Sequence, residues 1–123
     1  MRILVVDDEP KNRLMLAAML KNLGVADMVL ADNGGAALEI LEKDKAFDLV
    51  MTDLWMPVMN GDEFVRRVRA DERLAHLKVC LITADVEVRS TYRDIGFDMI
   101  LLKPVTLDAV SEILDRVTVA SGR

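Results

Sequence analysis

Four places in the chain carry side chains that could serve one chemistry: the acidic run Asp7-Asp8-Glu9, Asp53, Thr83 and the step Lys103-Pro104. Each ends or directly follows a short apolar run. If those runs are parallel strands, all four places fall on one edge of the sheet, where open α/β sheets hold their ligands. Three carboxylates gathered there repel one another, and a pair about 4 Å apart costs ~4 kcal/mol at an effective dielectric near 20. The arrangement therefore calls for a cation. Mg²⁺ fits, because it takes one or two carboxylates, several waters and phosphate oxygens, and all-oxygen donors without His or Cys point the same way. Lys103 adds a positive charge suited to a carboxylate before reaction and to a phosphoryl oxygen after it. Thr83 adds a hydroxyl donor. Such a site suits phosphoryl transfer to a carboxylate, which needs mainly in-line positioning and neutralised oxygens. Asp53, at the end of the central run Asp48-Leu49-Val50-Met51-Thr52, is the natural nucleophile. The adjacent Asp7 and Asp8 are better placed to hold the metal.

The elements that must position these residues are legible as short apolar runs alternating with segments of helical period. Ile3-Leu4-Val5-Val6, Met28-Val29-Leu30, Leu49-Val50-Met51, Val79-Cys80-Leu81-Ile82 and Met99-Ile100-Leu101-Leu102 read as strands. Leu14, Met15, Ala18 and Met19, then Leu38 and Leu41, then Phe64, Val65 and Val68, and finally Val110, Ile113, Leu114 and Val117 read as helix faces aimed at the sheet. Pro10 and Gly24 bound a first helix over residues 9–23. Asn33-Gly34-Gly35 and Asn60-Gly61-Asp62 introduce the second and third helices, Gly96 follows the fourth, and Thr106 with Asp108 opens the fifth. The expected fold is α/β: a five-stranded parallel sheet, order 2-1-3-4-5, doubly wound with five helices. One domain is expected over 1–119, with 120–123 as a tail or the start of a linker.

Composition narrows the setting. A length of 123 residues fits one domain. A net charge of −5 and a pI near 4.8 oppose direct nucleic-acid binding. No apolar stretch approaches the ~20 residues that cross a bilayer, and Met1-Arg2-Ile3 carries no signal-peptide pattern, so a cytoplasmic protein without membrane insertion is expected. Cys80, the only cysteine, lies in an apolar run and reads as inert packing.

The segments Val5-Val6-Asp7-Asp8-Glu9-Pro10, Asp48-Leu49-Val50-Met51-Thr52-Asp53-Leu54-Trp55-Met56-Pro57-Val58-Met59-Asn60-Gly61, Leu81-Ile82-Thr83-Ala84 and Lys103-Pro104 together resemble the receiver domains of bacterial response regulators. The likeness runs essentially the full length, and the order of the segments makes it specific where each alone is weak. It implies a Mg²⁺-dependent phosphorylation switch of two-component signalling. Asp53 would accept the phosphoryl group from a histidine kinase or histidine phosphotransfer protein. Asp8 would ligate the metal directly, Asp7 largely through water, and the Trp55 main-chain carbonyl would complete the protein ligands with Asp53. Thr83 and Lys103 would contact phosphoryl oxygens, the Lys103–Pro104 bond would be cis, and Gly61 would permit the turn after the phosphorylation loop. The resemblance implies no enzyme beyond the domain's own phosphorylation and dephosphorylation. Output would pass to a downstream effector protein or domain, with a phosphorylation-dependent dimer as one form of it.

Blander readings exist for each residue. Asp7 and Asp8 could favour a helix N-terminus, Thr83 could cap the fourth helix, and Lys103 could be a solvated charge. His76, alone in a polar stretch, is expected to be exposed and without a role. Two positions depart from the family pattern: Ile100 stands where many receivers carry Tyr or Phe, and Trp55 is a bulky aromatic two residues past Asp53. Trp55 and Asp85 are expected to govern water access to the acyl phosphate. A haloacid-dehalogenase-like phosphatase would need an Asp where Trp55 stands. A flavodoxin-like nucleotide binder would need a Gly-rich loop where Asp-Asp-Glu-Pro stands. The remaining alternative is a pseudo-receiver, an unphosphorylated interaction module on the same fold.

Overall fold

The computed structural model describes residues 1–56 and 59–120; Pro57 and Val58 of the quoted motif and the tail beyond Ala120 lie outside the described residues. Five strands, β1 (Arg2–Val6), β2 (Asp27–Ala31), β3 (Leu49–Asp53), β4 (Lys78–Thr83) and β5 (Met99–Leu102), form one sheet in the order β2-β1-β3-β4-β5. All four pairings are parallel, as the alternation of strands and helices requires. The register sets Val6 beside Thr52, Asp53 beside Ile82 and Thr83 beside Leu102. The strand ends that carry polar chemistry are therefore neighbours in space.

Five α-helices connect and follow the strands: α1 (Pro10–Asn22), α2 (Gly34–Lys43), α3 (Gly61–Ala70), α4 (Tyr92–Ile95) and α5 (Leu107–Ala120). Asn33 caps α2 by accepting from the Ala36 N–H at 2.8 Å, and Asn60 caps α3 by accepting from Glu63 at 3.0 Å. Gly24 (φ 92°) and Gly96 (φ 130°) follow α1 and α4 in a backbone region that side chains disfavour. The fourth helix is a single turn, preceded by a 3₁₀ stretch over Val86–Ser90, and none of its residues is buried. Helix α5 reaches Ala120, one residue into the predicted tail.

Because side chains alternate across a strand, the sheet feeds two cores. Leu4, Val6, Val50, Val79 and Leu81 pack with Ala37, Leu41, Phe64, Val65 and Phe97 on the α2–α3–α4 side. Ile3, Val5, Met51, Cys80 and Leu101 pack with Leu16, Leu20, Val110, Ile113 and Val117 on the α1–α5 side. Cys80 is fully buried, and burial pushes its thiol well above the usual range, which keeps it an inert packing group.

The inner face of α1 differs from the sequence expectation. Leu16, Ala17 and Leu20 are buried, whereas Leu14 and Met15 are 61% and 49% exposed and Ala18 is also exposed. Apolar residues surround this helix on nearly every side, so periodicity alone offered two stripes. Arg13 begins the stripe that faces inward, and its Nη1 donates to the Asp7 carbonyl at 2.8 Å, which fixes the rotation of the helix.

Candidate functional site

Asp7 follows β1, Asp53 ends β3, Thr83 ends β4 and Lys103 follows β5, so the sheet brings all four to its carboxyl edge. Asp7, Asp8 and Asp53 each offer a carboxylate oxygen within 4.8 Å of the others. They differ in setting. Asp7 is buried, Asp8 is exposed, and Asp53 is half-buried. Lys103 Nζ lies 3.2 Å from Asp53 Oδ2, while Asp53 Oδ1 accepts from the Leu54 N–H at 2.8 Å. Among the described residues, Lys103 is thus the cation paired with this cluster, through Asp53.

Asp7 is the buried member of the three. Its Oδ1 accepts from the Glu9 N–H at 2.9 Å, and the Asp7 N–H donates to the Ala31 carbonyl at 3.1 Å, so the side chain is held in place. Burial nevertheless holds its carboxyl above the usual carboxylate range. The Glu9 N–H and Lys103 oppose that rise, and the negative charges of Asp53 and Asp8 add to it. The donors are hard oxygens, already gathered and mutually repelling, which is the set a Mg²⁺ ion fits.

Thr83 is buried, and its Oγ1 accepts from the Asp85 N–H at 3.1 Å. Thr83 does not cap the fourth helix as the blander reading had it, because Asp85 caps the 3₁₀ stretch and α4 starts after Thr91. Accepting the turn bond leaves the Thr83 hydroxyl proton to donate elsewhere. Its carbonyl accepts from the Lys103 N–H at 2.9 Å, tying the two residues together through the backbone. The Lys103–Pro104 bond is cis.

Gly61 is needed for space. A Cβ there would stand 2.6 Å from the Asp53 carbonyl oxygen, and the Gly61 N–H donates to the Leu54 carbonyl at 2.7 Å. The start of α3 is thereby drawn against the backbone of the acidic strand end. Trp55, in the loop after β3, is 66% exposed. Ile100 is half-buried, and His76 is exposed, with Nε2 3.2 Å from the Phe47 carbonyl. Arg13 was not among the sequence candidates. The spacing Arg13, Leu16, Ala17, Leu20 is the signal that could have exposed it.

Comparison with known proteins gives this arrangement its family. The family model for the response regulator receiver domain matches residues 3–115. The chain is 37% identical over 119 residues to chemotaxis protein CheY-3 of Vibrio cholerae, covering 95% of this chain and 91% of that one. It is 40% identical over 116 residues to the sensor histidine kinase RcsC of Salmonella typhi, covering 93% of this chain but 12% of the kinase. Among solved structures, the response regulator TrrA of Thermotoga maritima, in complex with Mg²⁺ and BeF, superposes with a TM-score of 0.83 at 32% identity, covering 94% of this chain and 97% of that one. The receiver domain of a Pseudomonas aeruginosa sensor histidine kinase, with a magnesium ion in its active-site cleft, gives 0.83 at 27% identity, covering 99% and 98%. The chain belongs to the response regulator receiver domain family of two-component signalling.

Proposed function

We propose that the chain is a phosphorylation-dependent switch in which Asp53 accepts a phosphoryl group from a histidine kinase or histidine phosphotransfer protein. The observation that supports this best is the gathering of Asp7, Asp8 and Asp53 around one strand end, with Lys103 on Asp53. Asp7, Asp8, Asp53 and the Trp55 main-chain carbonyl would hold Mg²⁺, which when bound offsets the acidic charge and that of the incoming phosphoryl oxygens. Asp53 supplies the attacking oxygen, held by the Leu54 N–H and by Lys103. Lys103 then transfers its contact from the carboxylate to a phosphoryl oxygen. Thr83 offers its free hydroxyl proton to another. Glu9 and Arg13 orient Asp7 from behind through its side chain and its carbonyl.

The domain would act on no substrate but its own Asp53, and its output would pass from the cytoplasm to an effector protein or domain, in some settings through a dimer. The acidic set is complete, so no observation favours a pseudo-receiver. Incubation with Mg²⁺ and a small phosphodonor should add one labile phosphoryl group by intact mass, and Asp53→Asn should abolish it. Labelling of the variant at the parent's rate would move the acceptor elsewhere.

A further inference from the structure

A cavity of about 250 Å³ opens at the amino ends of β4 and β5, at the opposite end of the sheet from Asp53. Lys78, the first residue of β4, Arg93 of α4 and Arg116 of α5 line it, together with the buried Met99 and Val117. The acid in its lining is Asp98. That carboxylate is already engaged, since it accepts from the Val79 N–H at 2.8 Å and pairs with Arg69. Arg116 pairs with Glu112 at 2.7 Å, with both side chains more than half exposed, whereas Lys78 and Arg93 form no ion pair among the described residues. Positive charge therefore gathers in one hollow of a chain whose net charge is −5.

The two guanidinium groups are prepared to accept an anion. Arg93 Nε donates to the Tyr92 hydroxyl at 3.2 Å and its Cζ stands 5.6 Å from that ring's centroid, which holds the side chain while its terminal nitrogens keep their protons to donate. Arg116 uses Nη2 on Glu112 and keeps its other donors. Two planar forks and an ammonium around one space match phosphate oxygens, which guanidinium groups bind through parallel charge-assisted hydrogen bonds. Size sets the class of ligand. Clefts for drug-sized molecules hold roughly 300–1,000 Å³, so this smaller one suits a small anion. We infer that the cavity is a binding site for a small phosphate dianion, either inorganic phosphate or a phosphomonoester. It is separate from the Asp53 site, because Lys78 begins β4 and Thr83 ends it, placing their Cα atoms roughly 16 Å apart. A bound anion joins the start of β4 to α5 and to the single turn of α4, none of whose residues is buried, and so stabilises the folded chain.

The test uses the full chain without Mg²⁺, so that the acidic cluster repels anions, and titrates inorganic phosphate against chloride at matched ionic strength. Calorimetry should show saturable binding, and thermal unfolding should move upward with phosphate but not with chloride. In ¹H–¹⁵N spectra the amides of Lys78, Met99 and Val117 should shift while those of Asp7 and Asp53 stay in place. Arg93→Gln and Arg116→Gln should each weaken binding about tenfold. Arg66→Gln, at an exposed arginine outside the cavity, should leave it unchanged. Comparable binding of glycerol phosphate supports an ester as the ligand, and binding of inorganic phosphate alone supports the free ion. No binding beyond the chloride control, equal binding by the parent and both cavity variants, or spectral shifts confined to Asp7 and Asp53 would each overturn the inference. None of these readouts uses the labelling of Asp53, so the Asp53 reading stands or falls separately.

Discussion

The two ends of the sheet use the same residue types in opposite ways. At the amino end, Arg2 pairs with Asp27 and Asp44, stacks 4.7 Å from the Phe47 ring centroid, and its N–H donates to Asp48 Oδ2 at 2.8 Å. Nearby, Arg69 donates to the Gly96 carbonyl at 3.0 Å and the Leu77 carbonyl at 2.8 Å, and pairs with Asp98, which also accepts from the Val79 N–H. Each of those carboxylates has a donor from the chain itself, and the Arg69 contacts tie α3, β4 and the end of α4 together. At the carboxyl end, three carboxylates cluster while Lys103 pairs with Asp53, and burial first, then the neighbouring acids, leaves Asp7 above its usual titration range. The acids of one end are settled by the chain alone, and the other end gathers acid that the proposed Mg²⁺ would complete. Polar groups of the same kind therefore mean different things according to whether their partners are built in.

Breaking the settled end should have the largest effect on stability. Arg69→Ala strands two carbonyls and Asp98, and should lower unfolding free energy by about 2 kcal/mol, as read by denaturant unfolding. The labelling rate of Asp53 should hardly change. Arg67→Ala on the same helix serves as the contrast, because its pair with Glu63 is 58% and 50% exposed and such pairs contribute at most a few tenths of a kcal/mol. Equal losses in both variants would show that the Arg69 contacts do not form in solution.

The unsettled end should respond with the opposite sign and a smaller size. Asp7 titrates in the folded chain above its ordinary value of 3.8, so the native state holds that proton more tightly than the unfolded one. Without a divalent cation, the stability from protonated Asp7 is present at low pH and is lost as pH rises from the ordinary value through the raised one. Asp7→Asn keeps an acceptor for the Glu9 N–H and removes a charge. It should raise thermal stability at neutral pH without Mg²⁺ and flatten the acid-side pH dependence. A variant less stable than the parent under those conditions would show that Asp7 is already compensated.

Much of this contrast was visible in the sequence, but unevenly. Strand runs such as Val79-Cys80-Leu81-Ile82 are short, branched and bounded, so they identified their strands, and parallel topology then carried Asp7, Asp53, Thr83 and Lys103 to one edge. The helix caps Asn33 and Asn60 were legible because capping is local chemistry. The rotation of α1 was not, because Leu14, Met15 and Ala18 are as apolar as the Leu16, Ala17 and Leu20 that the sheet chose. Nor did Gly61 announce that its lack of a Cβ matters for the space beside Asp53. The Arg69 contacts with Gly96 and Asp98 span 27 and 29 residues, a separation at which charge pattern carries no signal. Ile100 sits half-buried at the margin of the α2–α3–α4 core. Loss of its methyl groups should therefore matter less than at a fully buried site.

The central claim is that the surplus acid at the carboxyl end is a cation site assembled before the cation arrives. Its most direct test is a Mg²⁺ titration followed by the fluorescence of Trp55, the only tryptophan in the chain, in the parent and in Asp8→Ala. The parent should show a saturable change and the variant a much smaller one at the same Mg²⁺ concentrations. Equal titrations in the two proteins would contradict the assignment of Asp8 to the metal and the claim built on it.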